Sequence, residues 1–540
     1  MGSPSETIQN ALEQGVSTQP ATGVASIGRS GLSRWLTPSF FDCLFLSVLV
    51  WLFAVGDGGW TRLLMDGDTG WHIRTGEWIL DHGAVPRADP FSFSKFGQPW
   101  FAWEWLCDVV YALLLRVAGL KGIVLLSGIV FAAFSAVLCR HMVWRGANLF
   151  IALPLVLIGT GAATVHVLAR PHLWTLLFVA ITTWMIQADL RRPSRKIWLL
   201  VPVTILWTNM HGGFLALIAC LGLTVIGTGL EAIGRRRDWT ASKRYMLVGA
   251  ACGLASLVNP YGWELHLHVA KYLQSDWIRE VVQEFQSPTF RSENMMQFEL
   301  ILLAGLTITG LMIARGKYVD ALWVLFWAHS TLGSVRHAPI FVAVALPALG
   351  EELARLWAWW SKDAPRSSTA YALDTIARES QPSLSRTSVW AVIPLVALAC
   401  IGSPTINWPD NFPKELFPTA LIEKHGQLLS GSRVFASDQW SDYLIYRFYP
   451  QQRVFFDGRS DFYGPALGKE YIRISQGGHD WSALLEKHGI DVVLSRPDWP
   501  LASLLKQSQA WKLVEDSGKA LLFVRRTPLA GISVRSTSGA

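Results

Sequence analysis

The sequence predicts a polytopic α-helical membrane protein with a polar α/β domain after its last span. Three observations predict this class. Of 540 residues, 51% are hydrophobic and only 16% are charged, against about 25% charged in soluble domains. Apolar runs approaching the roughly 17–25 residues of a membrane span recur along most of the chain, and the mean hydropathy is +0.30. The basic residues fall in short clusters between those runs, the pattern that marks cytoplasmic loops. The net charge of +7 is therefore topological and does not point to nucleic acid. An ordinary soluble enzyme, a disordered chain and a coiled coil are all excluded.

Residues 1–38 are rich in Ser, Gly and Thr and read as a disordered cytoplasmic tail, with Arg29 and Arg34 before the first span and no cleavable signal peptide. A transmembrane domain follows over 39–404. Spans are expected near 40–56, 120–139, 148–168, 172–189, 197–210, 213–233, 245–261, 297–314, 319–333, 338–357 and 389–404. The run from Leu106 to Ala118 contains Asp108 and Arg116 and reads as a helix lying in the membrane surface. With it so placed, the clusters Arg140/Arg145, Arg191/Arg192/Arg195/Lys196, Arg235/Arg236/Arg237 and Arg315/Lys317 and the loop 361–388 share one side. About eleven spans then put the tail inside and residues 405–540 outside the cytoplasmic membrane. In that last region, β-type runs at Arg433–Ala436, Arg453–Phe456, Asp491–Leu494 and Ala520–Val524 alternate with helical stretches at Trp481–His488 and Leu501–Gln507, a small α/β domain. The six cysteines lie in or beside apolar runs without metal or disulfide spacing and read as packing residues.

Sorted by side, the unusual polar residues gather at the outer face. The first outer loop, 57–104, carries Asp66-Gly-Asp68-Thr-Gly-Trp71-His72, then Arg74, Glu77, Asp89 and Glu104. Other outer span ends bring Arg170-Pro-His172, Asn209-Met-His211-Gly-Gly213, Asn259-Pro-Tyr261, the loop with Glu280 and Glu284, and Arg336-His337. Ionisable groups at membrane depth usually face a cavity or pathway, so the shared sidedness predicts one polar cavity opening outward. Each residue also has a plainer reading. Asp66 or Asp68 suits a turn or cap before a helix over 71–81; Arg170, His172, Arg336 and His337 suit interfacial anchoring; His211-Gly-Gly suits a tight turn.

A carboxylate beside Arg and His at the outer surface suits group transfer from an anionic lipid. Arg binds phosphate through a planar fork of donors, and a carboxylate accepts the proton of an attacking hydroxyl. Positive charge favours departure of a lipid phosphate. Asp66 and Asp68 also offer hard oxygen ligands to a divalent cation, Mg or Mn.

The segment Asp66-Gly-Asp68-Thr-Gly-Trp-His-Ile-Arg-Thr-Gly-Glu-Trp-Ile-Leu is similar to the acidic first-loop motif of the GT-C superfamily of membrane glycosyltransferases. Those enzymes use polyprenyl- or dolichyl-phosphate sugars and include protein mannosyltransferases and aminoarabinose transferases. Ala88-Asp-Pro-Phe-Ser-Phe-Ser and Phe101-Ala-Trp-Glu104-Trp-Leu continue the similarity. Trp440-Ser-Asp-Tyr-Leu-Ile-Tyr, Arg453-Val-Phe-Phe-Asp457-Gly-Arg459-Ser-Asp461 and His488-Gly-Ile-Asp-Val-Val-Leu resemble the outer domain of bacterial members. The resemblance implies inverting transfer of a hexose or pentose from a polyprenyl-phosphate donor to a glycan, lipid or protein acceptor. It implies a first-loop carboxylate as base, Asp68, with Asp66 as alternate or metal partner. The usual adjacent acidic pair is replaced here by Asp-Gly-Asp. Sidedness adds His72, Glu104, Arg170, His172, Asn209, His211, Arg336 and His337 as substrate-binding candidates. Asp457-Gly-Arg459 reads as a turn with a buried Asp–Arg pair, with closure over a substrate as the second reading. The competing functions are a transporter or lipid flippase, which expects paired halves with midplane charges, and a non-catalytic envelope-assembly protein of transferase-like fold.

Overall fold

The computed structural model describes residues 35, 37–54, 59–234, 238–292, 294–401 and 407–527. Most of the expected tail and the cluster Arg235/Arg236/Arg237 lie outside the described residues.

Every predicted span falls on a helix, from Phe40–Ala54 through Val392–Ile401. Five stretches are long and apolar enough to cross a membrane: Trp105–Trp144, Leu149–His166, His172–Arg191, Gly212–Gly234 and Met295–Ala314. The chain is a multi-pass membrane protein. The expected eleven crossings do not all follow from length: Leu200–Met210 has 11 residues, and at 1.5 Å per residue it reaches only about half of a hydrocarbon core of ~30 Å. Local signals set the ends. Asn148 caps Leu149–Ala163 by accepting from the Ile151 N–H. The presumed surface segment is helical and breaks from the following span at Gly119, whose φ of 63° and ψ of −159° interrupt the helix Trp105–Trp144.

One end of the bundle is tied by ion pairs. Arg145 bonds Asp320 and Glu351, Lys317 bonds Glu351 and Glu352, Arg315 bonds Glu352, and Arg191 reaches Glu351 at 3.4 Å. Three of the basic clusters thus share one end through two neighbouring carboxylates.

The C-terminal region folds around a four-stranded sheet of β1 (Val434–Ala436), β2 (Val492–Ser495), β3 (Trp511–Asp516) and β4 (Leu521–Arg525). Their order is β1-β2-β4-β3, with β1 parallel to β2 and the other pairs antiparallel. Two expectations are corrected. Arg453–Phe456 is not a strand, because Val454 spends its backbone on the loop 57–104: its N–H donates to the Phe91 carbonyl at 3.0 Å, and its carbonyl accepts from Phe93 at 2.9 Å. β3 escaped prediction because it is an edge strand, largely exposed and carrying Lys512, Glu515 and Asp516.

That loop and the C-terminal domain are one packed unit. The helix Asp438–Phe448, capped by Ser437, lies along Asp68–His82. Gly67 donates its N–H to the Gln439 side chain at 2.6 Å, and Arg74 donates to the Tyr446 carbonyl. Arg459 is buried between Asp89 at 2.8 Å and Asp457 at 2.6 Å. Tyr463 donates its hydroxyl to Asp457 at 2.6 Å, and the guanidinium lies 4.6 Å from the Trp100 ring centroid. Asp457 and Arg459 are thus the buried pair of the structural reading, and Asp89 extends it across the domain junction.

Candidate active site

The helix expected over 71–81 begins earlier, at Asp68, and runs to His82. Asp66 starts it by accepting the Asp68 N–H at 2.9 Å. Its second oxygen meets Arg170. Arg170 joins three carboxylates: Asp66 at 2.8 Å, Asp68 at 2.7 Å and Glu284 at 2.9 Å. These acids hold its guanidinium well above the ordinary arginine range despite burial. Burial pushes the Glu284 carboxyl up, but His166, Arg170 and Arg336 nearby outweigh it and lower its pKa to about 2.

Asp68 is 5% exposed. Burial drives its pKa up to about 7, and the charges of Asp66 and Glu284 push the same way against the pull of Arg170. Its Oδ2 is on Arg170, whereas its Oδ1 has no hydrogen-bond partner among the described residues. That oxygen faces the C-terminal domain, where a Cβ on Gly458 would run into the Asp68 carboxylate and lie 2.9 Å from the Asp442 Oδ2.

Next to this acid centre is a small cavity lined by His72, Glu104, His166, Arg170, Pro171, His172, His211, Glu284 and Arg336. Its free volume of about 20 Å³ holds little more than one water, so a larger group enters only as the lining side chains give way. His72 is fixed by its Nδ1 contact with Asp108 at 2.7 Å. His172 reaches the His166 carbonyl at 2.7 Å, and His211 pairs with Thr175 at 2.8 Å. Burial holds Glu104 well above the usual carboxylate range, and its Oε2 lacks a partner among the described residues. Arg336 stacks on Phe285 at 4.3 Å and reaches only the Tyr272 hydroxyl, at 3.4 Å. No carboxylate pairs with it among the described residues. It is the cation with donors left for an incoming anion.

Of the residues expected from sidedness, Asp66, Asp68, His72, Glu104, Arg170, His172, His211 and Arg336 converge here. Two do not. Asn209 accepts from the Trp105 indole at 2.7 Å and donates to the Ile205 and Val258 carbonyls, so its amide is spent on helix packing. His337 bonds the Ser330 carbonyl at 3.1 Å and packs against Trp327. His166, Asp108, Asp442 and Gly458 were missed as site residues, and Glu284, noted for its side, was not put forward as one. A lone His inside an apolar run was the one available signal for His166; Asp108, Asp442 and Gly458 belong to the site only through tertiary contact. A cleft of about 300 Å³ on the outer domain, between Trp440, Arg496, Asp498 and Lys519, lacks a comparable convergence of buried polar groups.

The guanidinium of Arg170 bridges Asp66, Asp68 and Glu284, the acids that Asp-x-Asp offered to a divalent cation, and no group of three His, Cys, Asp or Glu with metal-holding geometry occurs among the described residues.

No protein-family model matches the chain, and no curated protein matches its sequence. Among solved structures, the chain is similar to the archaeal oligosaccharyltransferase AglB from Archaeoglobus fulgidus in complex with an inhibitory peptide and a dolichol-phosphate. The TM-score is 0.54 at 11% identity, over 92% of this chain and 74% of that one. A second structure of the Archaeoglobus fulgidus oligosaccharyltransferase, tethered to an acceptor peptide, matches with a TM-score of 0.47 at 11% identity, over 84% and 68%. At such identity the first likeness establishes architecture, and it does so over nearly the whole chain. The chain therefore shares the overall fold of that oligosaccharyltransferase structure.

Proposed function

We propose that this protein transfers a sugar from a polyprenyl-phosphate donor to an acceptor at the outer face of the cytoplasmic membrane, with Asp68 as general base. In this reading the transmembrane domain, 39–404, crosses eleven times, with the tail 1–38 inside and the α/β domain 405–540 outside. The observation that carries it is the pairing of two unlike centres. A buried carboxyl near neutral pKa stands on Arg170, and Arg170 also lines the cavity where Arg336 has no carboxylate partner among the described residues. A base and an anion site are thus adjacent. The AglB structure, solved with a dolichol-phosphate, supports a lipid-phosphate donor for this architecture.

The acceptor hydroxyl attacks the anomeric carbon, and the bond from that carbon to the phosphate oxygen breaks. The electron pair leaves on the lipid phosphate, and the hydroxyl proton passes to Asp68. A single displacement inverts the anomeric centre. Arg336 neutralises the leaving phosphate, while His72, held by Asp108, and His211, held by Thr175, border the same cavity. Preorganised charge of this kind favours the departing oxyanion.

Purified protein in vesicles, given a polyprenyl-phosphate sugar and an envelope extract as acceptor source, is expected to release polyprenyl phosphate and label the acceptor. Movement of the intact lipid-linked sugar across the vesicle membrane without transfer would make the protein a transporter and overturn the proposal. Arg336→Gln is expected to raise KM for the donor by about 10–100-fold, the equivalent of a charge-assisted hydrogen bond of roughly 1.5–3 kcal/mol; an unchanged KM would remove Arg336 from the donor site. Because Arg170 occupies the carboxylates a cation would need, EDTA is expected to leave the initial rate unchanged. Loss of activity on chelation, restored by Mg or Mn, would contradict that expectation.

A further inference from the structure

We propose that the Asp442 carboxyl, carried by the outer domain, shares one proton with Asp68 and positions it as the base, so that the outer domain completes the reaction centre. The catalytic part of this inference rests on Asp68 being the base of the proposed transfer; the shared proton does not.

Asp442 is fully buried on the helix Asp438–Phe448. Its Oδ1 accepts from the Gly458 N–H at 3.1 Å. Its Oδ2 and the Asp68 Oδ1 are both buried and have no hydrogen-bond partner among the described residues. Both oxygens border the space that a Cβ on Gly458 would occupy, at 2.9 Å from the Asp442 Oδ2. Two ionised carboxylates are acceptors only, and as buried like charges they repel. One proton resolves both problems: it satisfies the two orphaned oxygens and removes one buried charge.

The surroundings decide which oxygen carries it. Asp68 faces Arg170 at 2.7 Å, with Asp66 and Glu284 beyond it. Asp442 faces the acids Asp68, Asp457 and Asp438 and, among the described residues, has only the Gly458 N–H in its favour. The proton therefore resides on Asp442 and is donated to Asp68. Burial raises both groups, Asp68 to about 7 and Asp442 well above the usual range, and their titrations belong to the pair. Asp68 is then an anion fixed from two sides, by Arg170 and by the Asp442 hydroxyl. When it takes the acceptor proton, the pair becomes neutral.

The test is infrared spectroscopy of the purified full-length protein at pH 8, with transfer rates measured alongside. Asp442→Asn keeps the shape and an N–H donor but cannot carry the proton. The wild type is expected to show a protonated-carboxyl absorption that is missing from Asp442→Asn and retained in Asp66→Asn. In transfer, Asp442→Asn is expected to lower kcat about tenfold with KM unchanged, and to keep the acid limb of the pH profile near its wild-type position. Asp442→Leu, which removes the donor, is expected to move that limb upward by about one pH unit. Superimposable carboxyl absorptions in the wild type and Asp442→Asn would overturn the shared proton. A lost absorption together with an acid limb unmoved in folded Asp442→Leu would overturn the positioning role. If the absorption is lost but no form transfers sugar, the shared proton stands and the transferase reading falls.

Discussion

Asp68→Asn is expected to reduce sugar transfer by about 10²–10⁴-fold, the usual contribution of a general base, while the protein still inserts and folds. The amide keeps the volume of the side chain but cannot accept a proton from the acceptor. Asp66→Asn is expected to cost less, because Asp66 caps the helix and steadies Arg170. Full activity in both variants would mean that neither acid is the base. The wild-type pH profile follows from the same residue. With its pKa raised to about 7 by burial, Asp68 is protonated on the acid side and cannot act as base. Activity is therefore expected to rise with pH through about 7, and a rate already at its plateau at pH 5 would exclude this carboxyl.

Arg459→Met is expected to have the largest effect on stability. It leaves Asp89 and Asp457 as unpaired buried charges, and breaking a buried pair from one side costs about 3–5 kcal/mol. The loss falls on the junction between the loop 57–104 and the C-terminal domain, where Arg459 pairs with both acids. Limited proteolysis in detergent checks it: the variant is expected to lose its C-terminal domain much faster than the wild type, while the membrane helices persist. Equal protection would show that the backbone bonds of Val454 and the packing of Asp438–Phe448 hold the domain without the ion cluster.

The two predictions separate what was legible in the sequence from what was not. Apolar runs located the helices because burial in lipid leaves a local, compositional mark. The convergence of Asp68, Arg170, His211 and Arg336 was legible because charge near a span end is costly enough to be noticed residue by residue. Sidedness, however, has no angular resolution. Asn209 and His337 share the side, yet their polar atoms are consumed by Trp105 and by the Ser330 carbonyl. Asp442 carried no such mark: an acid in a polar domain is unremarkable until the helix Asp438–Phe448 is laid against Asp68–His82. The same holds for Asp108, which reads as a surface-helix residue until His72 is found 2.7 Å away. The strand expected at Arg453–Phe456 failed for a related reason, since β propensity cannot reveal that Val454 bonds a loop some 360 positions earlier in the chain.

The most direct measurement is mass spectrometry of envelope glycans and glycolipids from cells lacking the protein, complemented with the wild type or with Asp68→Asn. One sugar is expected to vanish on deletion, return with the wild type and stay missing with Asp68→Asn at equal protein level. Identical glycan profiles across all the strains would contradict sugar transfer, and full restoration by Asp68→Asn would contradict its chemistry.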